Sequence, residues 1–364
     1  MGLGRHRTRH VARRARPPPR AAGPLRPSGG DRHRAHPHPI RWERVVALHD
    51  RLAALAPDPV VELNRAVAIA GAGAFLERRR IDVTQRVAPG VSVAEMALAD
   101  ELRQRARATW AAGDWDQCAT LIAPVGALVL DRLEVGAGQD LLDVGTGHGG
   151  NVAIPAALRG ARVVGLDVTP ELLERARRRA ADAGVEVEWV EGDAQDLPFE
   201  DARFDLVIST FGAMFAPDHA RAAAELVRVC RPGGRGAMTT WVNDGFYGEV
   251  FNLTRAFLPP PPSGVEPPAL WGVESHVTEA FGAAGVVPSI ERETVEFDLP
   301  SVDAAVQDYG KDFGPFVMAR EVLEPQGRWE EFLSAFGELV ERFNVADDGS
   351  ATIRSDYFVI TVER

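Results

Sequence analysis

The sequence has little cysteine, only one lysine and no long apolar run. Cys118 and Cys230 lie far apart, and no other Cys or His stands near either of them at metal-ligand spacing. We therefore expect neither a disulfide framework nor a metal site. The chain also lacks an uncharged apolar run of about eighteen residues, and no apolar segment of a secretory signal follows the basic start. These absences predict a cytoplasmic protein with no membrane-spanning segment.

Acidic residues are nearly absent from the first forty positions. Residues 1–40 contain ten arginines and the single acid Asp31, although the whole chain carries a net charge of −11. Large apolar residues are rare there as well, so burial cannot offset the entropy of ordering, and we expect a disordered tail. Two interpretations stay open. One is a basic arm that contacts nucleic acid through phosphates; the other is a solvated tail or translated sequence without a selected role.

Two short amphipathic helical patterns follow the tail and predict a small helical hairpin within 41–82. They flank the break APDP at residues 56–59. The run WERVVALHDRLAALAPDPVVELNRAVAIA resembles the C-terminal region of extracytoplasmic-function-type RNA polymerase sigma factors. No sigma region that binds promoter DNA or core polymerase precedes it, so the resemblance implies no initiation activity. A true start near Val83 is the alternative interpretation.

From residue 83 to the C-terminus, helix-like and strand-like segments alternate, which is typical of a parallel α/β sheet. The segments with strand character are Asp140–Val144, Arg162–Asp167, Val187–Glu191, Phe204–Ser209, Arg235–Thr240, Ile290–Leu299 and Asp356–Val362. A helical insertion separates the last two. The sequence thus predicts a tail over 1–40, a helical fragment with its linker over 41–82, and one α/β domain over 83–364.

A glycine-rich turn follows the first of these strands. In LLDVGTGHGGN an apolar strand ends in Asp143 and leads at once into Gly145, Gly147 and Gly150 before a helix. Such glycines let the backbone turn tightly and approach a ligand without a Cβ in the way. The same three glycines also satisfy the dinucleotide fingerprint, so this turn alone leaves both NAD and S-adenosylmethionine open as cofactors.

Three further motifs follow in order. The second strand ends at Asp167 in VVGLDVTPELLERAR, the third leads into EGDAQDLPFEDARFDLV, and a helix with a Pro-Gly-Gly turn follows in LVRVCRPGGRGAMTTW. As an ordered set, these motifs resemble the class I S-adenosylmethionine-dependent methyltransferases of the small-molecule, type 11/25-like group. That resemblance implies a Rossmann-like, seven-stranded sheet, mostly parallel with the last strand antiparallel, and helices on both faces.

The resemblance also implies which residues bind the cofactor, S-adenosyl-L-methionine. Asp143 and the backbone of the glycine turn would lie along its methionine part, Asp167 would hold the ribose, and Asp193 would meet the adenine. Ser209 and Phe211 would face the reactive end of the site. The full set of expected cofactor residues is Asp143, Gly145, Thr146, Gly147, Asp167, Val168, Asp193, Ala194 and Thr210.

Candidates for catalysis are fewer, because a methyl sulfonium is already activated and alignment can supply much of the acceleration. If the acceptor needs a general base, His219 and Tyr247 are the candidates, with His276 more distant. Trp110 and Trp115 are candidates for a lid over the cofactor. The alternatives are structural: His219 as the start of a helix, and both tryptophans as packing.

Aromatic residues also recur at helical spacing in the insertion. Tyr309, Phe313, Phe316, Phe332 and Phe336 could form an apolar pocket, although this spacing is equally typical of core. The acidic main domain disfavours a nucleic-acid substrate, which would need a basic face, so we expect a small-molecule acceptor. A transcription-related nucleic-acid-binding protein, an NAD-dependent oxidoreductase and a non-catalytic cofactor-binding domain remain the alternatives, and the oligomeric state is left open.

Overall fold

The computed structural model describes residues 93–113, 115–262 and 264–364 of the chain. The predicted tail over 1–40 and the helical hairpin within 41–82 lie outside these residues. Side chains at 93–97, 99 and 114–118 also lie outside the description, and with them the predicted lid contact of Trp115. Within the described part of the chain, no helix is both long enough and apolar enough to cross a membrane.

The described chain forms a seven-stranded sheet in the order β3-β2-β1-β4-β5-β7-β6. The first five strands are parallel to one another, and β7 runs antiparallel between β5 and β6. The strands are β1 (Asp140–Val144), β2 (Arg162–Asp167), β3 (Glu188–Glu191), β4 (Phe204–Thr210), β5 (Cys230–Trp241), β6 (Ser289–Leu299) and β7 (Ala351–Glu363). The predicted Rossmann-like fold, with an antiparallel last strand, is confirmed.

Burial along β1 shows why this part of the sequence becomes a central strand. Leu141, Leu142, Asp143 and Val144 are all buried, although successive side chains of a strand point to opposite faces. Helices therefore cover both faces of the sheet, and a continuous apolar run at this position suits a parallel strand. The same burial makes Asp143 a carboxyl group inside the core.

The helices of the described chain connect the strands and cover the sheet. They are α1 (Val93–Ala111), α2 (Trp115–Arg132), α3 (Ala153–Leu158), α4 (Pro170–Ala183), α5 (His219–Val229), α6 (Phe246–Phe257), α7 (Glu274–Ala283), α8 (Val302–Asp312), α9 (Gly314–Leu323) and α10 (Trp329–Phe343). Short 3₁₀ turns occur at Ala213–Phe215, Pro268–Gly272 and Glu324–Gln326. Helices α8 to α10 form the insertion between the last two strands in sequence.

Two strands are longer by at least five residues than the sequence patterns predicted. Strand β5 begins at Cys230, so the Pro-Gly-Gly turn belongs to its first part, where the register against β4 shifts between Phe204 and Leu206. Gly233 takes a φ of +75° in that irregular stretch, a conformation that favours glycine. Strand β7 begins at Ala351, because it pairs with the whole length of β6, from Leu299 to Ser289.

Candidate functional site

One cavity opens where the carboxyl ends of β1 to β5 meet. Its volume is about 280 Å³. The strand order reverses between β1 and β4, and ligands of open α/β sheets bind at such a point, outside the carboxyl ends of the strands. Every residue expected to bind the cofactor lines this cavity: Asp143, Gly145, Thr146, Gly147, Asp167, Val168, Asp193, Ala194 and Thr210.

The glycine turn after β1 has glycines in the left-handed region at two positions that line the cavity. Gly145 and Gly147 have φ angles of +71° and +57°. A Cβ added to Gly145 would lie 2.7 Å from the Cα of Gly212, so two stretches of backbone touch here. At Gly147 no atom lies within 4 Å of an added Cβ, and its N–H donates to Asp167 Oδ2 at 2.8 Å. The turn therefore presents bare backbone to the cavity.

Asp143 holds the turn from within the core. Its Oδ2 accepts hydrogen bonds from Thr146 Oγ1 at 2.6 Å and from the Ala153 N–H at 3.2 Å. Its Oδ1 is buried and has no hydrogen-bond partner among the described residues. Burial raises the pKa of Asp143 to about 7, against the opposing effect of its hydrogen bonds. A ligand that donates a hydrogen bond would satisfy the second oxygen.

Asp167 ends β2 beside the turn. It accepts hydrogen bonds from the backbone N–H groups of Gly147 and Thr169, the latter at 2.9 Å. Burial raises the pKa of its carboxyl group, while these backbone donors act in the opposite direction. Two buried carboxyl groups thus lie at the ends of neighbouring strands, where they can accept hydrogen bonds from a ligand.

The loop after β3 carries the third acid. Asp193 Oδ1 accepts hydrogen bonds from the backbone N–H of Gln195 at 2.9 Å and from its side chain at 3.1 Å. Arg103 of α1 lies 3.5 Å from Asp193 Oδ2, and Arg107 of the same helix pairs with Glu191. Helix α1 therefore contacts the β3 end of the cavity through two ion pairs.

Rings from five segments form the other half of the cavity lining. We call Phe211, Phe215, Trp241, Tyr247, Phe251 and Phe313 the aromatic wall. The ring of Trp241 is stacked on Phe211 at 3.8 Å and on Tyr247 at 4.2 Å. Sequence reasoning named Phe211, Tyr247 and Phe313 but missed the other three. Trp241 could have been found, because it ends the fifth strand at the same edge of the sheet at which β1 ends.

The remaining candidates divide between the cavity and the core. Trp110 lines the cavity and lies edge-on to Phe215, with 4.6 Å between ring centroids. Ser209 is instead fully buried: its Oγ donates to the Val144 carbonyl at 2.7 Å and accepts from the Ala213 N–H at 2.8 Å. The expectation that Ser209 faces the reactive end is wrong, since both of its hydrogen bonds hold backbone inside the sheet.

The two candidates for a general base occupy different surroundings. Tyr247 lies on the cavity wall, and its hydroxyl is 2.7 Å from that of Tyr309. His219 begins α5 with its side chain fully buried, and its Nδ1 is 2.9 Å from Nε2 of His276. Burial lowers the pKa of His219 to about 3, which keeps the ring neutral. The cavity lining reaches Pro217 and leaves out His219.

His219 and His276 also belong to a group of potential metal ligands. One ligand atom each from His219, Glu266 and His276 lies within 4.8 Å of the others. The 2.9 Å between the two ring nitrogens is an ordinary hydrogen-bond distance. Glu266 also accepts a hydrogen bond from the His219 backbone N–H at 2.7 Å, so these three residues fix the start of α5.

In the insertion, most of the aromatic residues belong to the core. Phe316, Phe332 and Phe336 are fully buried, and Phe316 packs edge-on against each of the other two with centroid distances of 4.8 Å. Phe313 alone of the five predicted insertion aromatics reaches the cavity lining.

Comparison with known proteins adds independent observations. The family described as "Methyltransferase domain" matches residues 142–238. Uncharacterized protein Rv1405c of Mycobacterium tuberculosis is 42% identical over 215 residues, which are 58% of this chain and 78% of that protein. Demethylmenaquinone methyltransferase of Thermus thermophilus is 40% identical over 126 residues, 34% of this chain and 49% of that protein.

Solved structures also match the chain, at lower identity. Phosphoethanolamine N-methyltransferase 2 of Haemonchus contortus, in complex with S-adenosyl-L-methionine, is 21% identical with a TM-score of 0.41. The match covers 66% of this chain and 52% of that chain.

Proposed function

Because the chain belongs to the class I S-adenosylmethionine-dependent methyltransferases, we propose that it transfers a methyl group to a small-molecule acceptor bound against the aromatic wall. The cofactor is S-adenosylmethionine. When bound, it supplies a methyl group that its sulfonium has already activated for in-line displacement. The single observation that carries the proposal is that all nine expected cofactor residues line one cavity with the aromatic wall.

The cavity has the features that such a cofactor needs. The unsatisfied Oδ1 of Asp143 suits a hydrogen-bond donor such as the ammonium group of a methionine. The open space above Gly147 admits a ligand against bare backbone, and the carboxyl group of Asp167 suits ribose hydroxyls. We propose that these three residues hold the methionine and ribose parts.

Asp193 and Ala194 complete the proposed cofactor site at the adenine end. The carboxylate of Asp193 can accept a hydrogen bond from an amino group, and Gln195 already orients it through two hydrogen bonds. Val168 and Thr210 border the site on either side.

One of these acids, Asp143, disfavours the NAD alternative. A dinucleotide would place its pyrophosphate on the glycine turn, where helix N-terminal amides usually hold it. Asp167 suits the ribose of either cofactor. The buried Oδ1 of Asp143, however, has no hydrogen-bond partner among the described residues, and a pyrophosphate carries no donor that could satisfy it. Carboxyl groups at this position instead suit a cationic, hydroxyl-bearing ligand.

For catalysis we propose that the chain acts mainly by orientation and by excluding water. Trp110 and the aromatic wall surround the acceptor half, and Phe211 and Thr210 join that half to the cofactor half. Tyr247 is the proposed positioning residue for the acceptor, because its hydroxyl is fixed by Tyr309 at 2.7 Å. His219 is given no part in the chemistry, since its buried neutral ring lies outside the cavity lining.

The proposal can be tested without knowing the acceptor. The protein is incubated with S-adenosylmethionine that carries a trideuterated methyl group, together with a heat-treated bacterial extract in which other enzymes are inactive. Mass spectrometry should find the label in the small-molecule fraction. Asp167→Asn should remove that signal, provided its urea unfolding matches the wild type. Label confined to nucleic acid or protein, or no label at all, would contradict the proposal.

A further inference from the structure

The two halves of the cavity differ in charge. The acids Asp143, Asp167 and Asp193 belong to the ends of β1, β2 and β3. In contrast, the lining residues that the described chain contributes from β4 onward, Thr210 through Phe313, include no Asp, Glu, Lys or Arg. A charged acceptor bound there would lose its hydration without gaining a counter-charge, which is costly. The acceptor half therefore suits an uncharged compound.

The stacking of Trp241 removes one binding place for an organic cation, the face of the indole. Phe211 lies nearly parallel to the indole, with 9° between planes, and Tyr247 lies at 22°. Two rings so close and so nearly parallel to one indole must cover its two opposite faces. A cation is attracted to the face of an aromatic ring and repelled by its edge. Trp241 can offer only its edge to the cavity.

An edge that carries partial positive charge attracts the face of another aromatic ring. The rim of the wall already has this perpendicular arrangement. Phe215 meets Phe251 with 86° between planes and 6.2 Å between centroids, and it meets Trp110 at 64°. A planar aromatic ligand can extend this edge-to-face packing. An alkyl chain would be stabilised only by the burial of its apolar surface. The wall is also held rigid, because Phe211, Trp241 and Tyr247 are all buried.

We propose that the acceptor half of this cavity selects a substrate with an uncharged aromatic ring, an inference that rests on the proposed function. Phe211, Trp241 and Tyr247 form its rigid base, and Phe215, Phe251 and Phe313 complete the lining. The hydroxyl of Tyr247, fixed against Tyr309, is a polar group of the wall that can meet a hydroxyl on that ring.

The test uses four probes that share one fused bicyclic ring system. These are 2-naphthol, its saturated analogue decahydro-2-naphthol, the anion 2-naphthoate and the cation 2-naphthyl-trimethylammonium. Each is titrated calorimetrically into the full chain, with and without saturating S-adenosylhomocysteine. We expect 2-naphthol to bind about tenfold more tightly than the saturated analogue and about 100-fold more tightly than either ion.

A pair of variants on one helix tests the place of binding. Phe251→Leu removes a wall ring and should reduce the preference for 2-naphthol over decahydro-2-naphthol. Phe257→Leu is the matched control, because Phe257 ends the same helix but packs on Phe332 at 5.3 Å, away from the wall. This control should retain the preference of the wild type.

The outcomes separate this inference from the proposed function. Binding of S-adenosylhomocysteine with an equal or greater affinity for the ammonium, the carboxylate or the saturated probe overturns the inference and leaves the methyltransferase proposal standing. Failure of S-adenosylhomocysteine to bind overturns the proposed function, and the titrations without it still decide which ring the wall prefers. A preference that Phe251→Leu and Phe257→Leu leave equally intact also overturns the inference.

Discussion

Asp143 links the core of the sheet to the cofactor cavity through a single carboxyl group. Burial raises its pKa to about 7, from 3.8 in an exposed chain. Between these two pH values the folded protein holds a proton that the unfolded chain has released. This contribution to stability is complete below the unfolded pKa and is lost as the pH rises through about 7.

Replacing Asp143 with Asn tests that titration. The amide of this variant stays neutral at every pH used, so its stability does not depend on this titration. Relative to Asp143→Asn, the free energy of unfolding of the wild type should therefore fall by about 3 kcal/mol as the pH rises from 5 to 8. Urea unfolding at each pH measures the difference between the two proteins. A difference that does not change with pH would contradict the raised pKa.

Gly145 is a second residue on which both the fold and the shape of the cavity depend. Gly145→Ala would place a Cβ 2.7 Å from the Cα of Gly212, in addition to its unfavourable φ of +71°. Gly138→Ala is the matched control, with a φ of +84° and no atom within 4 Å of the new Cβ. We expect the control to lose about 1 kcal/mol and Gly145→Ala more than about 3 kcal/mol in urea unfolding. Equal losses would show that the backbone contact is unimportant.

At this scale the sequence predicted the acids and glycines of the cavity but only half of its aromatic wall. An acid at a strand end and the glycines of the next turn lie within a few residues of each other, so their pattern can be recognised in the sequence. Phe215 and Phe251 come from a 3₁₀ turn and from α6, and only the fold brings them to the cavity. Ser209 was misjudged because strand alternation, not its place in the motif, decides where its side chain points.

Among the elements, α1 contributes to the cavity from outside the sheet. Leu102, Arg103, Ala106 and Trp110 of this helix line the cavity, and Arg103 and Arg107 pair with acids at the end of β3. These ion pairs are partly exposed, so they contribute little to stability and serve mainly to orient the helix. The packing of Trp110 against Phe215 is the apolar part of the same contact.

Shortening Trp110 tests the proposed lid. Trp110→Ala should weaken binding of S-adenosylhomocysteine about tenfold, because it opens the cavity to water on the α1 side. Thr109→Ala is the control on the same helix, since among the described residues that hydroxyl bonds to the Arg105 carbonyl, at 3.0 Å, within the helix. Calorimetric titration should give the control an affinity within about twofold of the wild type. Equal affinities of the two variants for S-adenosylhomocysteine would show that Trp110 contributes to packing and not to cofactor binding.

Element boundaries were harder to predict than element types. All seven strands were predicted from strand-like segments, yet the starts of β5 and β7 were each placed five residues late. Both extensions depend on pairing with a strand distant in sequence: β5 begins opposite Phe204, and β7 extends along β6. Local patterns carry no information about how far a partner strand continues.

On the scale of the whole molecule, the described residues from Val93 onward supply the sheet, the cavity and the proposed lid residue Trp110. We therefore keep the prediction that 83–364 is the methyltransferase domain. A chain of residues 83–364 should match the full chain within about 1 kcal/mol in urea unfolding and should bind S-adenosylhomocysteine equally well. A chain of residues 112–364, which lacks α1, should bind it more weakly. A clear loss of stability in the first chain would place the domain boundary earlier.

The central claim is that the cavity at the ends of β1 to β5 binds S-adenosylmethionine and not a dinucleotide. Calorimetric titration of the full chain with S-adenosylhomocysteine and, separately, with NAD tests it most directly. We predict one-to-one binding of S-adenosylhomocysteine that Gly145→Ala abolishes and Gly138→Ala retains, with no binding of NAD. Binding of NAD without binding of S-adenosylhomocysteine would contradict the claim.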